Sequence, residues 1–162
     1  MKSDVCVIGG GIVGAITANS TAKLTSQHVL FYKYLYDEYG ANFAKLYLES
    51  NENGIKLAEK IIKNENIDCD FEKKDSYVFA TTITELEKVK QELNTLNKLG
   101  FDAEYVENIK IPADNVLGAI KFKNKAQFNA RKYTLQLFEK TSNLGAKIYE
   151  NSKVEKIEKM VK

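Results

Sequence analysis

The spacing of apolar positions changes several times along the chain, and each change marks an element. Asp4 to Ile8 is mostly apolar with little alternation, as in a strand covered on both faces. Gly9 to Gly14 form a turn, and a helix is expected after it, with Ile12, Ala15, Ile16 and Thr17 in or near its buried side. From Phe31 the period becomes helical: Phe31, Leu35, Tyr39, Phe43 and Tyr47 recur at every fourth position. Ile55, Ala58, Ile61 and Ile62 continue it; Gly40 is placed to divide two helices, Gly54 is a weak spot, and Asn64 and Asn66 mark the end. Phe71 to Thr81 reads as a strand around Tyr77, Val78 and Phe79. Thr82 and Glu85 have the spacing of a capping box, Leu86, Val89, Leu93 and Leu96 form one helix stripe, and Gly100 stops it. Strands are predicted at Ala103 to Val106 and Val116 to Phe122, with Pro112 in the loop between them. Arg131 to Ser142 reads as a helix ended by Gly145, and Lys147 to Tyr149 with Val154 to Ile157 as a final strand pair or one bent strand. The order predicts a mixed α/β fold without internal repeats.

Composition narrows the classes of function. The net charge is +2, from 24 basic and 22 acidic residues that alternate in sign, so no basic face for a nucleic acid is expected. The many Lys/Glu pairs read as solvated helix faces. Cys6 and Cys69 belong to no metal-spaced cluster and His28 is the single histidine, so no metal site is expected. Cys6 reads as a small core residue and Cys69 as a free thiol, which fits a reducing cytoplasm. The stretch from Val5 to Ala18 faintly resembles a signal peptide, but its glycines make it a poor membrane helix. No run is long enough to span a bilayer as a helix, so no membrane partner is expected.

The chemistry lies in the first turn. Gly9, Gly11 and Gly14 form G-x-G-x-x-G after a predicted strand and at the opening of a predicted helix. Gly9 permits the tight turn, Gly11 lets the backbone approach a pyrophosphate, and Gly14 lets the helix pack on the strand. The helix N-terminus then offers free N–H groups to phosphates. Such a motif demands a carboxylate about 20 residues further on, at the end of a second strand, to hold the ribose. Asp37 and Glu38 lie near that distance, after the apolar run Val29 to Tyr36. If that run is a strand, the chain reads as an NAD-dependent dehydrogenase; the fourfold spacing from Phe31 to Tyr47 favours a helix instead.

The glycine motif resembles that of the D-amino-acid-oxidase family of FAD-dependent oxidoreductases, which includes glycine and sarcosine oxidases. Residues 21–28, Thr-Ala-Lys-Leu-Thr-Ser-Gln-His, resemble a bacterial subgroup that usually carries a C-terminal Rieske iron–sulfur domain. Residues 66–71 and 126–133 look like the same subgroup, and residues 145–154 resemble the family strand whose backbone touches the adenine. The resemblance implies FAD as cofactor, held at its pyrophosphate by Gly9, Gly11 and Gly14. It places Thr21, Ala22 and Lys23 along the pyrophosphate and flavin, and Val154 at the adenine. It divides the chain into a partial, Rossmann-like FAD-binding domain (residues 1–28 and 127–162) and a substrate-side cap (residues 29–126). It implies hydride transfer from an amine or amino acid to flavin.

Two departures set limits on this. In the family a strand ending in an acid separates the glycine helix from the Thr-Ala-Lys stretch, whereas here Asn19 runs almost directly into Ser20 and Thr21. Either the protein lacks that strand or the sequence leaves it out, and an intact mass distinguishes the two. The matches also cover only the N-terminal part of such an enzyme, so the chain reads as a fragment that is expected to be inactive alone, with FAD absent in some preparations. The competing reading is a non-catalytic folded piece that self-associates through uncovered apolar surface, giving a homo-oligomer. His28 is a weak proton-carrier candidate beside a plainer role in a loop hydrogen bond. Arg131 could meet a substrate carboxylate, although a structural ion pair at a helix start is the plainer expectation. Tyr32, Tyr34, Tyr36, Tyr39 and Tyr47 are expected to pack rather than to stack on bases.

Overall fold

The computed structural model describes residues 22–107, 109, 113–149, 152–153 and 155–156. Their elements run β1 (Lys23–Leu24), α1 (Tyr32–Asn64), β2 (Glu72–Ala80), α2 (Ile83–Lys98), β3 (Ala103–Val106), β4 (Gly118–Gln127) and α3 (Ala130–Asn143). The fold is mixed α/β, and the described sheet is antiparallel throughout. β4 lies at its centre: β2 pairs along one edge, while β3 and the short β1 share the other.

The apolar stripes decide which face is covered. Val89 and Leu96 of α2 and Leu35, Ala44 and Leu48 of α1 are buried with Ala80, Ile120 and Phe122 of the sheet. Full burial of each large apolar side chain stabilises by about 1.5–3 kcal/mol, so this layer supplies most of the cohesion. Alternation turns Tyr77, Phe79 and Lys121 to the opposite face, where Phe79 is 42% exposed. A smaller core gathers Ile62, Ile67, Cys69 and Tyr133 where the end of α1 meets α3.

The helix ends follow from particular residues. Thr82 and Glu85 form the expected capping box at the start of α2: Glu85 N–H donates to Thr82 Oγ1 at 3.2 Å, and Thr82 N–H donates to Glu85 Oε2 at 3.1 Å. Asn129 caps α3 by accepting from Lys132 N–H at 3.0 Å. α1 has no capping side chain of its own. Its first amides, Tyr32 and Lys33, instead donate to the two oxygens of Glu92 of α2, each at 2.7 Å. Gly40, at φ 83° and ψ 167°, breaks α1 into two helices, whereas Gly54 stays helical.

A bulge interrupts the β2–β4 ladder. Ser76 faces Phe122 but Lys74 faces Lys125, so Asp75 alone stands opposite Lys123 and Asn124. Asn124 takes a left-handed φ of 57°, and its N–H donates to Asp75 Oδ1 at 3.2 Å. The extra residue reverses side-chain parity. Lys121 pairs with Asp75 at 3.0 Å and Lys123 with Glu104 at 3.3 Å, while Lys125 turns towards the helices and is 3% exposed.

Several expectations need correction. The strand expected at 116–122 begins at Gly118 and continues to Gln127, because the bulge lets the polar sequence Lys123 to Gln127 remain paired. Lys147 to Tyr149 is not a strand; these residues have no ladder partner among the described residues. The glycine turn and its flanking strand and helix, Cys6, Pro112 and Val154 lie outside the described residues.

Candidate functional site

β1, β2 and β4 converge on a half-open cavity of about 360 Å³. That is within the ~300–1,000 Å³ of small-molecule sites. Lys23 and Thr25 line it from the β1 side, Tyr77 and Phe79 from β2, and Lys125 and Gln127 from the end of β4. The volume suits one ring system or a small substrate rather than a whole dinucleotide. Lysine, hydroxyl and amide groups set beside aromatic rings match a flat, polar-edged ring, so the described residues fit the flavin end of FAD.

β1 brings Lys23 here through a two-residue pairing, Lys23 opposite Gln127 and Leu24 opposite Ala126. Ala22 is exposed, and its carbonyl accepts from Phe128 N–H at 2.9 Å. The structure thus ties Ala22 to the end of β4 and brings Lys23 to the cavity, whereas Gly9, Gly11, Gly14, Thr21 and Val154 lie outside the described residues.

Behind the cavity sits a buried polar cluster that sequence reasoning did not anticipate. Lys125 Nζ and the fully buried Ser26 Oγ both donate to Glu52 Oε1 of α1, and Lys125 Nζ lies 5.3 Å from the centre of the Phe101 ring. Tyr32 Oη donates to the carbonyl of Ser26, and burial pushes its phenol well above the usual tyrosine range. Asn124 was the available signal: a residue tolerant of left-handed backbone inside an alternating Lys-x-Lys-x-Lys run marks a change of face.

The other candidates lie elsewhere. His28 is exposed, donates from Nε2 to Asn51 Oδ1 at 3.2 Å and does not line the cavity. Its partner is a side chain, where sequence reasoning expected backbone. Arg131 is exposed at the start of α3 and forms no ion pair among the described residues, which corrects the expected structural pair; nor does it line the cavity. Asp37 and Glu38 stand inside α1, with Asp37 paired to Lys33 at 2.5 Å. The run before them is helical, so neither ends a strand as a ribose acid must. Burial, and then Asp70 and Asp68, push the Cys69 thiol upward, so it is a core residue rather than a thiolate. Of the tyrosines, Tyr32 is buried, while Tyr34 and Tyr39 are 49% and 58% exposed, so packing accounts for only part of the series.

Comparison with known proteins assigns the class. Residues 17–162 match the family described as DAO, FAD dependent oxidoreductase, and the chain belongs to it. A protein of Bacillus subtilis (strain 168), named as a Rieske 2Fe-2S iron-sulfur protein, YhfW, is 31% identical over 175 residues. The alignment takes in 93% of this chain and 34% of the relative, so the chain spans about a third of that protein's length. The aligned length exceeds the 162 residues present here, so the relative carries residues within that span that have no counterpart in this sequence. No solved structure matches the chain significantly. The glycine turn precedes the matched residues, so the assignment rests on the remainder of the chain. Among the described residues no helix is long and apolar enough to cross a membrane.

Proposed function

We propose that this chain is the N-terminal part of an FAD-dependent oxidoreductase that oxidises an amine or amino acid, and that its described layer is the substrate side of the site. One observation carries the reading. The cavity sets Lys23, which the family resemblance assigns to the pyrophosphate and flavin, and the nearby Thr25 with Tyr77 and the partly exposed Phe79 of β2. FAD, when bound, supplies the hydride acceptor. The protein's own residues bind and orient: Gly9, Gly11 and Gly14 serve the pyrophosphate, Thr21, Ala22 and Lys23 the pyrophosphate and flavin, and Val154 the adenine. Residues 1–28 and 127–162 belong to the FAD-binding part and residues 29–126 to the cap. Tyr77 and Phe79 form an aromatic wall that excludes water from a small substrate.

The family's separate second strand is missing from this sequence between Asn19 and Thr21. The relative's unmatched residues within the aligned span support a local absence of that kind. The relative's name supports a 2Fe-2S centre in the whole protein. Adding FAD, removing the excess and recording the visible spectrum tests the reading. Retained flavin that bleaches anaerobically with an amine or amino acid is the expected result for a competent protein. A folded chain that retains no flavin would reduce it to a structural piece.

A second reading is favoured by a specific patch. Tyr34, Tyr39, Phe43 and Leu46 are 46–62% exposed around the Gly40 break, with ring centres of Tyr39 and Phe43 5.1 Å apart. A non-catalytic chain that self-associates there would elute as an oligomer in size exclusion, and Tyr39→Lys would return it to a monomer.

A further inference from the structure

A two-residue strand cannot hold its own place. β1 pairs with β4 only at Lys23 and Leu24, yet it carries the cavity-lining Lys23 and Thr25. The residues just after β1 are tied down by the buried cluster. Ser26 is fully buried, its hydroxyl donates to Glu52 and its carbonyl accepts from Tyr32 Oη. Glu52 in turn is held by Lys125, which the bulge at Asn124 has turned inward. One carboxylate therefore joins the β1 segment, α1 and β4. A lysine and a carboxylate set against the sheet's inner face add little net cohesion compared with apolar residues of the same size, because desolvation offsets their attraction. Their effect is to fix geometry.

We propose that Ser26, Glu52 and Lys125 form a clasp that positions residues 23–27 against the cavity. These are positioning residues; none needs to touch a reacting atom. The extension to flavin, that the clasp sets the affinity of the flavin end of the site, rests on the proposed function.

Two variants test the clasp. Ser26→Ala cuts the link while leaving the Glu52–Lys125 pair intact. Ser26→Thr keeps a hydroxyl that can donate to Glu52 and leaves the ion pair whole, and serves as the conservative rescue. Amide hydrogen exchange on the full chain reads the outcome. Phe128 N–H donates to Ala22 and Gln27 N–H to Thr25 Oγ1, so both report on the segment. In Ser26→Ala these amides should exchange about tenfold faster, while those of Tyr77 to Ala80 in the β2 ladder keep their protection. Ser26→Thr should stay near the wild type. Unchanged exchange at Phe128 and Gln27 in Ser26→Ala would overturn the proposal, as would an equal rise throughout the sheet, which marks general loosening. FAD titration gives the second readout, with binding expected to be about tenfold weaker in Ser26→Ala and close to wild type in Ser26→Thr. If the wild type binds FAD and Ser26→Ala binds it equally well, the extension to flavin fails. If the wild type binds no FAD, the flavin reading itself fails, and exchange alone decides the clasp.

Discussion

Before the bulge at Asn124, β4 presents Ile120 and Phe122 to an apolar helix layer; after it, the same strand presents Lys125 to Glu52 and Ser26. The first half is flanked by both strands, β2 pairing Gly118 to Phe122 and β3 pairing Ala119 to Phe122. The second half has β2 on one edge and only the short β1 on the other. Cohesion and positioning are thus assigned to different halves of one strand. The apolar half gains from every methylene removed from water. The polar half places two charged groups out of water, where little is gained in stability and much in defined geometry.

The largest test removes a ring from the apolar half. Phe122 is fully buried and lies 5.3 Å from Phe101, centre to centre. Phe122→Ala should cost about 3–5 kcal/mol of unfolding free energy. Urea unfolding measures it, and a loss below 1 kcal/mol would show that the apolar half is not where the stability resides.

Glu92 joins the two halves and comes next in size. It is fully buried beneath the first turn of α1, and it holds the amides of Tyr32 and Lys33. Glu92→Ala leaves those donors without a partner at a cost of about 1–3 kcal/mol. pH gives the finer test. Burial pushes Glu92 above the ordinary 4.5, and this outweighs the amide bonds that pull it down. The folded state therefore holds the proton more tightly than the unfolded state. Its contribution to stability is fully present below 4.5 and is lost as pH rises through the folded value. Relative to Glu92→Gln, which does not titrate, the wild type should lose urea stability as pH rises across that range. A wild type that instead gains on the variant would show that the amide bonds outweigh burial.

The capping box of α2 is smaller again. Thr82→Ala removes the acceptor for Glu85 N–H, and about 1 kcal/mol should be lost. Because this site is exposed and belongs to neither half of β4, exchange at Phe128 should not change.

These elements differ in how legible they were in the sequence. The apolar half was readable: Leu86, Val89, Leu93 and Leu96 keep one helical period, Thr82 and Glu85 announce the cap, and Tyr77 to Ala80 reads as a strand. Local residues determine all of these. The break at Gly40 was readable for the same reason, since that backbone takes a φ of 83°. The polar half was not. Lys121, Lys123 and Lys125 alternate as a solvated edge would; Asn124 among them is the one hint, and its ladder partner turns that hint into a reversal of parity. Glu92 resembled any solvated helix glutamate, because the amides it caps lie about sixty positions earlier in the chain. Likewise, Lys147 to Tyr149 has strand composition but takes no strand conformation, because composition alone does not form a ladder. Of the residues that line the cavity, Lys23 was singled out through resemblance, whereas Thr25, Tyr77 and Phe79 needed the sheet to bring them together.

The smallest expected change in stability gives the sharpest comparison. Replacing the whole cluster, Ser26→Ala with Glu52→Leu and Lys125→Met, removes every buried polar side-chain atom of the clasp at once. No charge is left without a partner, and the three apolar side chains occupy similar space. Substitutions of that kind in buried ion pairs are often neutral or stabilising, so urea stability should stay within about 1 kcal/mol of the wild type or exceed it. Yet residues 23–27 would then lose the clasp and keep the short β1 pairing, the Ser76 bond to Gln27 Oε1 and the Tyr32 bond to the Ser26 carbonyl. Exchange at Gln27 and Phe128 should rise while global stability does not fall. A triple variant that loses several kcal/mol would place the clasp in the stabilising core, and the two halves of β4 would no longer differ in kind. A variant that keeps both stability and exchange protection would show that apolar packing positions the segment as well as the ion pair does, leaving the cluster without a role in the site.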